Sequence, residues 1–332
     1  MTLEVEPWDG PAGGVLCSFG FQDGLARPFE ASDADGPDLA GDWTWTHLRL
    51  GDARAKAAIR AIPDLPSAAW ELFKDLETRV QIDQAGGWVF GVLPDFERDL
   101  AGGVVGEGRL IFAFDTSRLI TGRLHALLAV DDLRHAAEKG LLIQSPAAAL
   151  VLLIEHYAER VEAALEKLGA QIAAVEDYVL AEPQNPRDAQ LPSLRRAIAR
   201  QRREVQMLRT TLSRAHTGRH GRHIEFSSEG VADLIAWLDD SDREAGALQD
   251  RGRLLYEEID TLIGAATNRS MRTLTVISTL LIPPTLIVGA FGMNVPGIPF
   301  EHSGVGFMEA SGLCVATVVA ALWLLRRMGL LS

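Results

Sequence analysis

Two long apolar runs lie close to the C-terminus, and they constrain the chain more than any other feature. Residues 273–291 (TLTVISTLLIPPTLIVGAF) carry no charge over 19 positions; residues 305–325 carry one, Glu309, near their start. A helix needs about 20 such residues to cross the core of a bilayer. Arg269 and Arg272 precede the first run, Arg326 and Arg327 follow the second, and residues 292–304 between them hold neither Lys nor Arg. The positive-inside rule then puts both termini in the cytoplasm and the short connection outside. The competing reading, a buried hairpin in a soluble core, has no use for arginine at both flanks.

Composition narrows the function. The chain has 332 residues, 47% hydrophobic and 23% charged, with a formal net charge of -13. Such an acidic chain is a poor partner for nucleic acid, which requires a basic surface, and it suits a collector of cations. Cys17 and Cys314 are too few and too far apart in sequence for a disulfide framework or a zinc-thiolate site. The N-terminus (MTLEVEPWDG) is acidic and lacks an apolar signal core, so nothing is expected to export the first 270 residues. No Ser/His/Asp or Cys/His arrangement has a motif context and no Gly-rich loop follows a strand, so neither an enzyme nor a nucleotide-binding module is indicated.

Residues 1–142 read as a mixed α/β domain. Short alternating segments at 43–49, 78–83, 87–93, 110–115 and 119–125, bounded by Gly, Asp and Pro, predict strands, with helices at 52–61 and 126–139. From Ser145-Pro146, a cap followed by proline at the first helical position, the pattern turns helical. Residues 147–180 and 192–215 predict the two arms of a hairpin spanning 143–227. A third helix starts at Ser228 and meets no strong stop before Phe291; residues 231–291 would run about 90 Å. Its 228–272 portion is the expected stalk. Residues 193–223 hold nine Arg and one acid, Glu204, whereas 228–263 hold ten acids and three Arg. Mutual neutralisation of the two helices and a cation-gathering surface both explain that contrast.

Two spans cannot enclose a path for a hydrated ion, so a transporting chain must be an oligomer with one helix per subunit around an axis. The first span (273–291) is the better lining candidate, since it carries Thr275, Ser278, Thr279 and Thr285 while the second (305–325) is greasier. The hydroxyls could equally join helices to each other. Pro283-Pro284 withholds two backbone donors, producing either a kink or carbonyls that line a wet cavity.

The first span runs into Phe291-Gly292-Met293-Asn294-Val295-Pro296-Gly297-Ile298-Pro299. A Gly-Met-Asn tripeptide carries nothing alone, but here it follows the penultimate span and precedes a short loop, a last span and a basic tail (326–332). In that setting the chain resembles the CorA superfamily of divalent-cation channels and transporters, with Asn268, Leu274-Thr275 and Pro283 as further matches. The run from Asn294 to Pro299 is similar to the ZntB zinc-transporter branch, although that branch often has Val where this chain has Met293. The resemblance implies an α/β cytoplasmic domain, a long helical stalk and two C-terminal transmembrane helices, assembled as a funnel-shaped homopentamer in a bacterial-type inner membrane. It implies no cofactor: Zn2+ or Mg2+ is cargo. It places Gly292, Met293 and Asn294 in outer loop 292–304 at the entrance, where Asn294 would hold the ion through its hydration shell. It implies zinc uptake, with protons as a possible co-substrate, or a magnesium and cobalt channel as the alternative. A membrane-anchored sensor or scaffold is a third reading, one with no need of the signature.

Met271, Leu274, Ser278, Ile282 and Thr285 are the expected pore-lining positions. Met271 and Leu274 would form an apolar constriction, unless they serve ordinary packing. Glu301 and His302 in the outer loop could ring the mouth and capture zinc, or be plain loop residues. Glu257 and Asp260, three apart on the stalk, could concentrate cations or simply face solvent. His216, His220 and His223 have zinc-like spacing, but Arg219 and Arg222 between them favour a solvated basic turn.

Overall fold

The computed structural model describes residues 14–28, 42–77, 79–99, 103–181, 191–217, 228–293 and 305–329. They group into two compact units, Met1–Ala173 with Gln190–Gly252, and Ala174–Ala189 with Arg253–Ser332.

The first unit is built on a seven-stranded sheet. Its strands are β1 (Val15–Gln22), β2 (Leu25–Pro28), β3 (Trp43–Arg49), β4 (Gln81–Ala85), β5 (Trp88–Arg98), β6 (Val104–Phe114) and β7 (Arg118–Arg123), in spatial order β2-β1-β3-β7-β6-β5-β4. Every neighbouring pair is antiparallel except β3 and β7, which run parallel with Thr44 opposite Arg118 and Arg49 opposite Arg123. The five predicted strands are all present, with β4 shifted toward the C-terminus and β6 extended toward the N-terminus. β1 and β2 were not anticipated. They are joined at Asp23-Gly24, both at positive φ, which is the backbone a two-residue hairpin turn demands.

Side chains alternate across the sheet as the pleat requires. One face presents Phe19, Phe21, Trp43, Trp45, Phe112 and Leu119 to a core shared with the long helices. The other presents Leu48, Trp88, Phe90, Val92, Ile111 and Ile120 to α1 (Ala53–Arg60) and α2 (Ser67–Asp75). The first nine residues of β5 are therefore buried without a break, as expected of a strand covered on both faces. Asp52 caps α1 by accepting from Arg54 N at 2.9 Å, which matches the expected helix start. α2, preceded by Pro66 and lacking a side-chain cap, was not anticipated.

The helices α3 (Leu128–Glu138), α4 (Pro146–Ala181) and α5 (Leu191–Thr217) follow. Ser145 caps α4 as expected, its Oγ accepting from Ala148 N at 3.1 Å. α6 then runs unbroken from Ser228 to Phe291. The basic and acidic helices pair directly, as the neutralisation reading expects. Arg202 donates to Asp242 at 2.8 Å and to Gln249 at 2.6 Å, Arg209 pairs with Asp239, and Gly246 leaves room for the Arg202 guanidinium. Glu204, the lone acid of α5, is also committed, accepting from Arg109 of β6 at 2.8 Å.

The second unit contains the end of α4, α6 from Arg253 onward, and α7 (Gly306–Arg327). Among the described residues, two helices are long and apolar enough to cross a membrane, and their apolar stretches expose nearly all their side chains. A face of that kind is unstable in water and stable in lipid.

Candidate ion pathway along the first span

Met271, Leu274, Ser278, Ile282 and Thr285 recur at steps of three or four residues, so α6 places them on one face. Met271, Leu274 and Ile282 are about two-thirds exposed, Thr285 is exposed and Ser278 half-buried. Leu274, Ser278 and Ile282 share an open depression with Thr275, Thr279 and Pro283. Ile282 and Thr285 share the next one, which ends at Met293.

The threonine hydroxyls of this span donate to their own backbone. Thr275 Oγ1 donates to Met271 O at 2.9 Å, Thr279 Oγ1 to Thr275 O at 2.7 Å, and Thr285 Oγ1 to Leu281 O at 2.7 Å. Each proton is thereby used, while the oxygen keeps its lone pairs. These hydroxyls are therefore acceptors rather than donors, the polarity that suits the water shell of a cation. Pro283 and Pro284, inside the helix, cannot donate to the carbonyls of Thr279 and Leu280, which lie on the same stretch. The helix nonetheless continues to Phe291.

α6 ends at the signature. Gly292 N donates to Val288 O at 2.9 Å and Met293 N to Ala290 O at 3.4 Å. A Cβ on Gly292 would stand 3.1 Å from Val288 O, so glycine there permits a tight exit from the helix. Asn294, Glu301 and His302 lie outside the described residues, as do His220 and His223. His216 is exposed at the end of α5. Among the described residues no group of three or more His, Cys, Asp or Glu is arranged to hold a metal ion.

At the other end of the spans, Arg272 Nη2 donates to Gly329 O at 2.8 Å, and the Arg327 guanidinium lies over the Trp323 ring at 5.4 Å. The arginine-bearing ends of the two spans are thus joined, as expected for a helical hairpin whose flanking charges share one side. Glu257 and Asp260 are both exposed, on the side of α6 away from buried Leu255 and Ile259. Glu257 stands 3.6 Å from Arg253 one turn earlier, which offsets part of its charge.

Two features of the first unit escaped the sequence reading. Cys17, His47 and Thr121 face one another across β1, β3 and β7. Thr121 Oγ1 accepts from Trp45 Nε1 and contacts His47 Nδ1, each at 2.8 Å. Burial pushes the Cys17 thiol up to about 12 and holds the His47 imidazolium well below its usual range, so neither is a nucleophile or a proton carrier near neutral pH. Asp95 is the second, a carboxyl buried beneath the start of α3.

Comparison with known proteins fits this architecture. "Divalent cation transporter CmaX" of Pseudomonas aeruginosa is 27% identical over 293 residues, with 86% of each chain covered. "Zinc transport protein ZntB" of Yersinia enterocolitica is 23% identical over 300 residues, covering 85% of this chain and 86% of the relative. The solved structure of full-length CmaX superposes with a TM-score of 0.81 at 25% identity, over 96% of this chain and 99% of its own. The CorA magnesium transporter of Methanocaldococcus jannaschii superposes at 0.68 over 95% and 98%; its 13% identity makes it a likeness of fold. Residues 40–327, almost the whole described length, match the family described as "CorA-like Mg2+ transporter protein", and the chain belongs to that family.

Proposed function

We propose that the chain carries divalent metal cations across the inner membrane as a homopentamer, with both termini cytoplasmic. Residues 271, 274, 278, 282 and 285 of each subunit line the path, and Gly292-Met293-Asn294 stand at its outer entrance. The single observation that carries this reading is the exposed face of α6, apolar at Met271, Leu274 and Ile282 and interrupted by hydroxyl oxygens left as acceptors. In lipid such a face needs like faces around a wet axis. The segments 228–272, 273–291, 292–304 and 305–325 then serve as stalk, lining helix, entrance loop and outer helix.

At the entrance, a ring of Asn294 amide oxygens holds the water of a hydrated divalent ion without stripping it. A ring of carboxylates would hold more tightly and release more slowly. Zinc is carried at least as readily as magnesium, and inward. The run from Asn294 to Pro299, the imidazole of His302 beside Glu301, and the likeness to a protein named for zinc transport support that choice. A magnesium channel is the second reading, favoured by the family's description.

The test is flux of zinc and of magnesium into liposomes carrying the purified protein, with its mass measured in detergent. A pentamer that passes zinc, and an Asn294→Ala variant that stays pentameric but passes neither ion, is the expected result. A stable monomer or dimer, or unchanged flux in the variant, refutes the arrangement. Strong magnesium flux without zinc flux selects the second reading.

A further inference from the structure

Pro283 removes a backbone donor from the middle of the first span. In an α-helix the carbonyl of residue i accepts from the N–H of residue i+4, and proline has no N–H. Thr279 therefore loses its regular donor, while α6 continues unbroken to Phe291. The Thr279 oxygen lies where the N–H of residue 283 would have been, and both residues line one open depression of about 440 Å³. Leu274, Ser278 and Ile282, each assigned to the path, share that depression with Thr275. Pro284 withholds a donor from Leu280 in the same way, but neither of those two lines the depression.

A backbone acceptor at membrane depth requires a donor from elsewhere. The threonines of the spans do not supply it. Thr273, Thr275, Thr279 and Thr285 of α6, and Thr317 of α7, already give their protons to carbonyls of their own helices. Their oxygens, like the Thr279 carbonyl, are left as acceptors. The depression thus offers oxygen acceptors and no side-chain nitrogen, carboxylate or thiol. Water matches such a set by donating to it, and water polarised by a divalent cation is the stronger donor.

We propose that the Thr279 carbonyl, opened by Pro283 and flanked by the hydroxyls of Thr275 and Ser278, is a mid-span binding site for a hydrated divalent cation. The inference rests on the transport reading and adds to it a second station, about 20 Å along the helix from the entrance signature. The ion is held there through its water, so the site does not tell zinc from magnesium. That choice falls to the outer end of the path.

The experiment is flux of zinc and of magnesium into liposomes carrying the full-length protein, with the mass of each variant checked in detergent. Pro283→Ala returns an N–H to the Thr279 carbonyl and should lower the flux of both metals by one common factor, at least about tenfold. Pro284→Ala removes the other ring from the same turn but leaves that carbonyl open, and should lose much less. Thr275→Val combined with Ser278→Ala should fall between them. Wild-type flux in Pro283→Ala overturns the site and leaves the transport reading standing, because the wild type conducts. Equal losses in the two proline variants trace the effect to helix shape and overturn the site, as does loss for one metal alone. A wild type that passes neither metal refutes the transport reading and the site with it. If Pro283→Ala does not assemble, the double variant decides: wild-type flux there overturns the inference.

Discussion

Asp95→Asn tests whether a buried carboxyl sets the strength with which α3 is held to the sheet. Asp95 is 1% exposed. Its Oδ1 accepts from Phe96 N at 2.7 Å and from Ala129 N at 3.1 Å, while Oδ2 is buried without a hydrogen-bond partner among the described residues. The helix has no cap of its own, since Leu127 occupies that position. Burial pushes the Asp95 carboxyl from 3.8 up to about 7, against the pull of the backbone N–H groups and of Arg160. Between those values the folded state keeps a proton that the unfolded state has lost. Stability therefore falls as pH rises from about 4 to about 7, and the whole penalty is present above that. At about 1.36 kcal/mol per unit, the penalty has a ceiling of ~4 kcal/mol. Asparagine keeps the acceptor for Ala129 N and removes the charge. Hydrogen exchange of peptides covering residues 127–134, corrected for intrinsic rates, should show wild-type protection weakening from about pH 5 to about pH 8. The variant should lose most of that slope and be the better protected at the alkaline end. The difference between the two proteins isolates Asp95 from every other titrating group. Equal slopes would refute the argument.

Three other substitutions probe separate parts of the molecule. A Cβ on Gly91 of β5 would lie 2.1 Å from the backbone oxygen of Gln81. Gly91→Ala should thus displace β4 and cost about 1–3 kcal/mol, read as a lowered Tm; an unchanged Tm would show that the edge strand yields freely. Arg109→Ala leaves the Glu204 carboxylate buried without its partner and should cost about 3 kcal/mol, with Glu204→Gln milder, in denaturant titrations. Zinc uptake should weaken as outside pH falls through about 6.5 if His302 captures the ion, and His302→Ala should flatten that dependence. Faster uptake from an acidic outside in both proteins would indicate coupled protons instead.

Features that reached the sequence reading were those with a period or a punctuation mark. Ser145-Pro146 announced α4, the unbroken pattern after Ser228 announced α6, and the uncharged run with flanking arginines announced the spans. Alternation revealed the strands covered by helices on both sides, with boundaries displaced by a few residues where polar positions such as Glu107 continue the ladder. β1 was missed although Cys17, Phe19 and Phe21 alternate and Asp23-Gly24 marks the turn, because Gly20 and Ser18 dilute its apolar signal. α2 was missed because neither end carries a polar cap. The apolar face of α6 could be read from spacing, but the fate of its hydroxyl protons could not: a threonine in sequence donates anywhere, and only coordinates show it turned back onto its own helix. Asp95 looked like one more surface acid until its burial under α3 was seen.

The parallel seam between β3 and β7 sets an order of events on the ribosome. β3 emerges early, already hydrogen-bonded on one side to β1, but its other edge stays open until Arg118–Arg123 has been synthesised. β4 to β7, by contrast, pair with strands that follow directly in the chain. Local pairing closes short loops and is fast, whereas the β3–β7 seam must bring together segments separated by two helices and three strands. During that interval Trp43 and Trp45, later sealed in the core, stand beside an unpaired edge. A nascent chain stalled before β7 should therefore recruit a holding chaperone, and one stalled after it should release it.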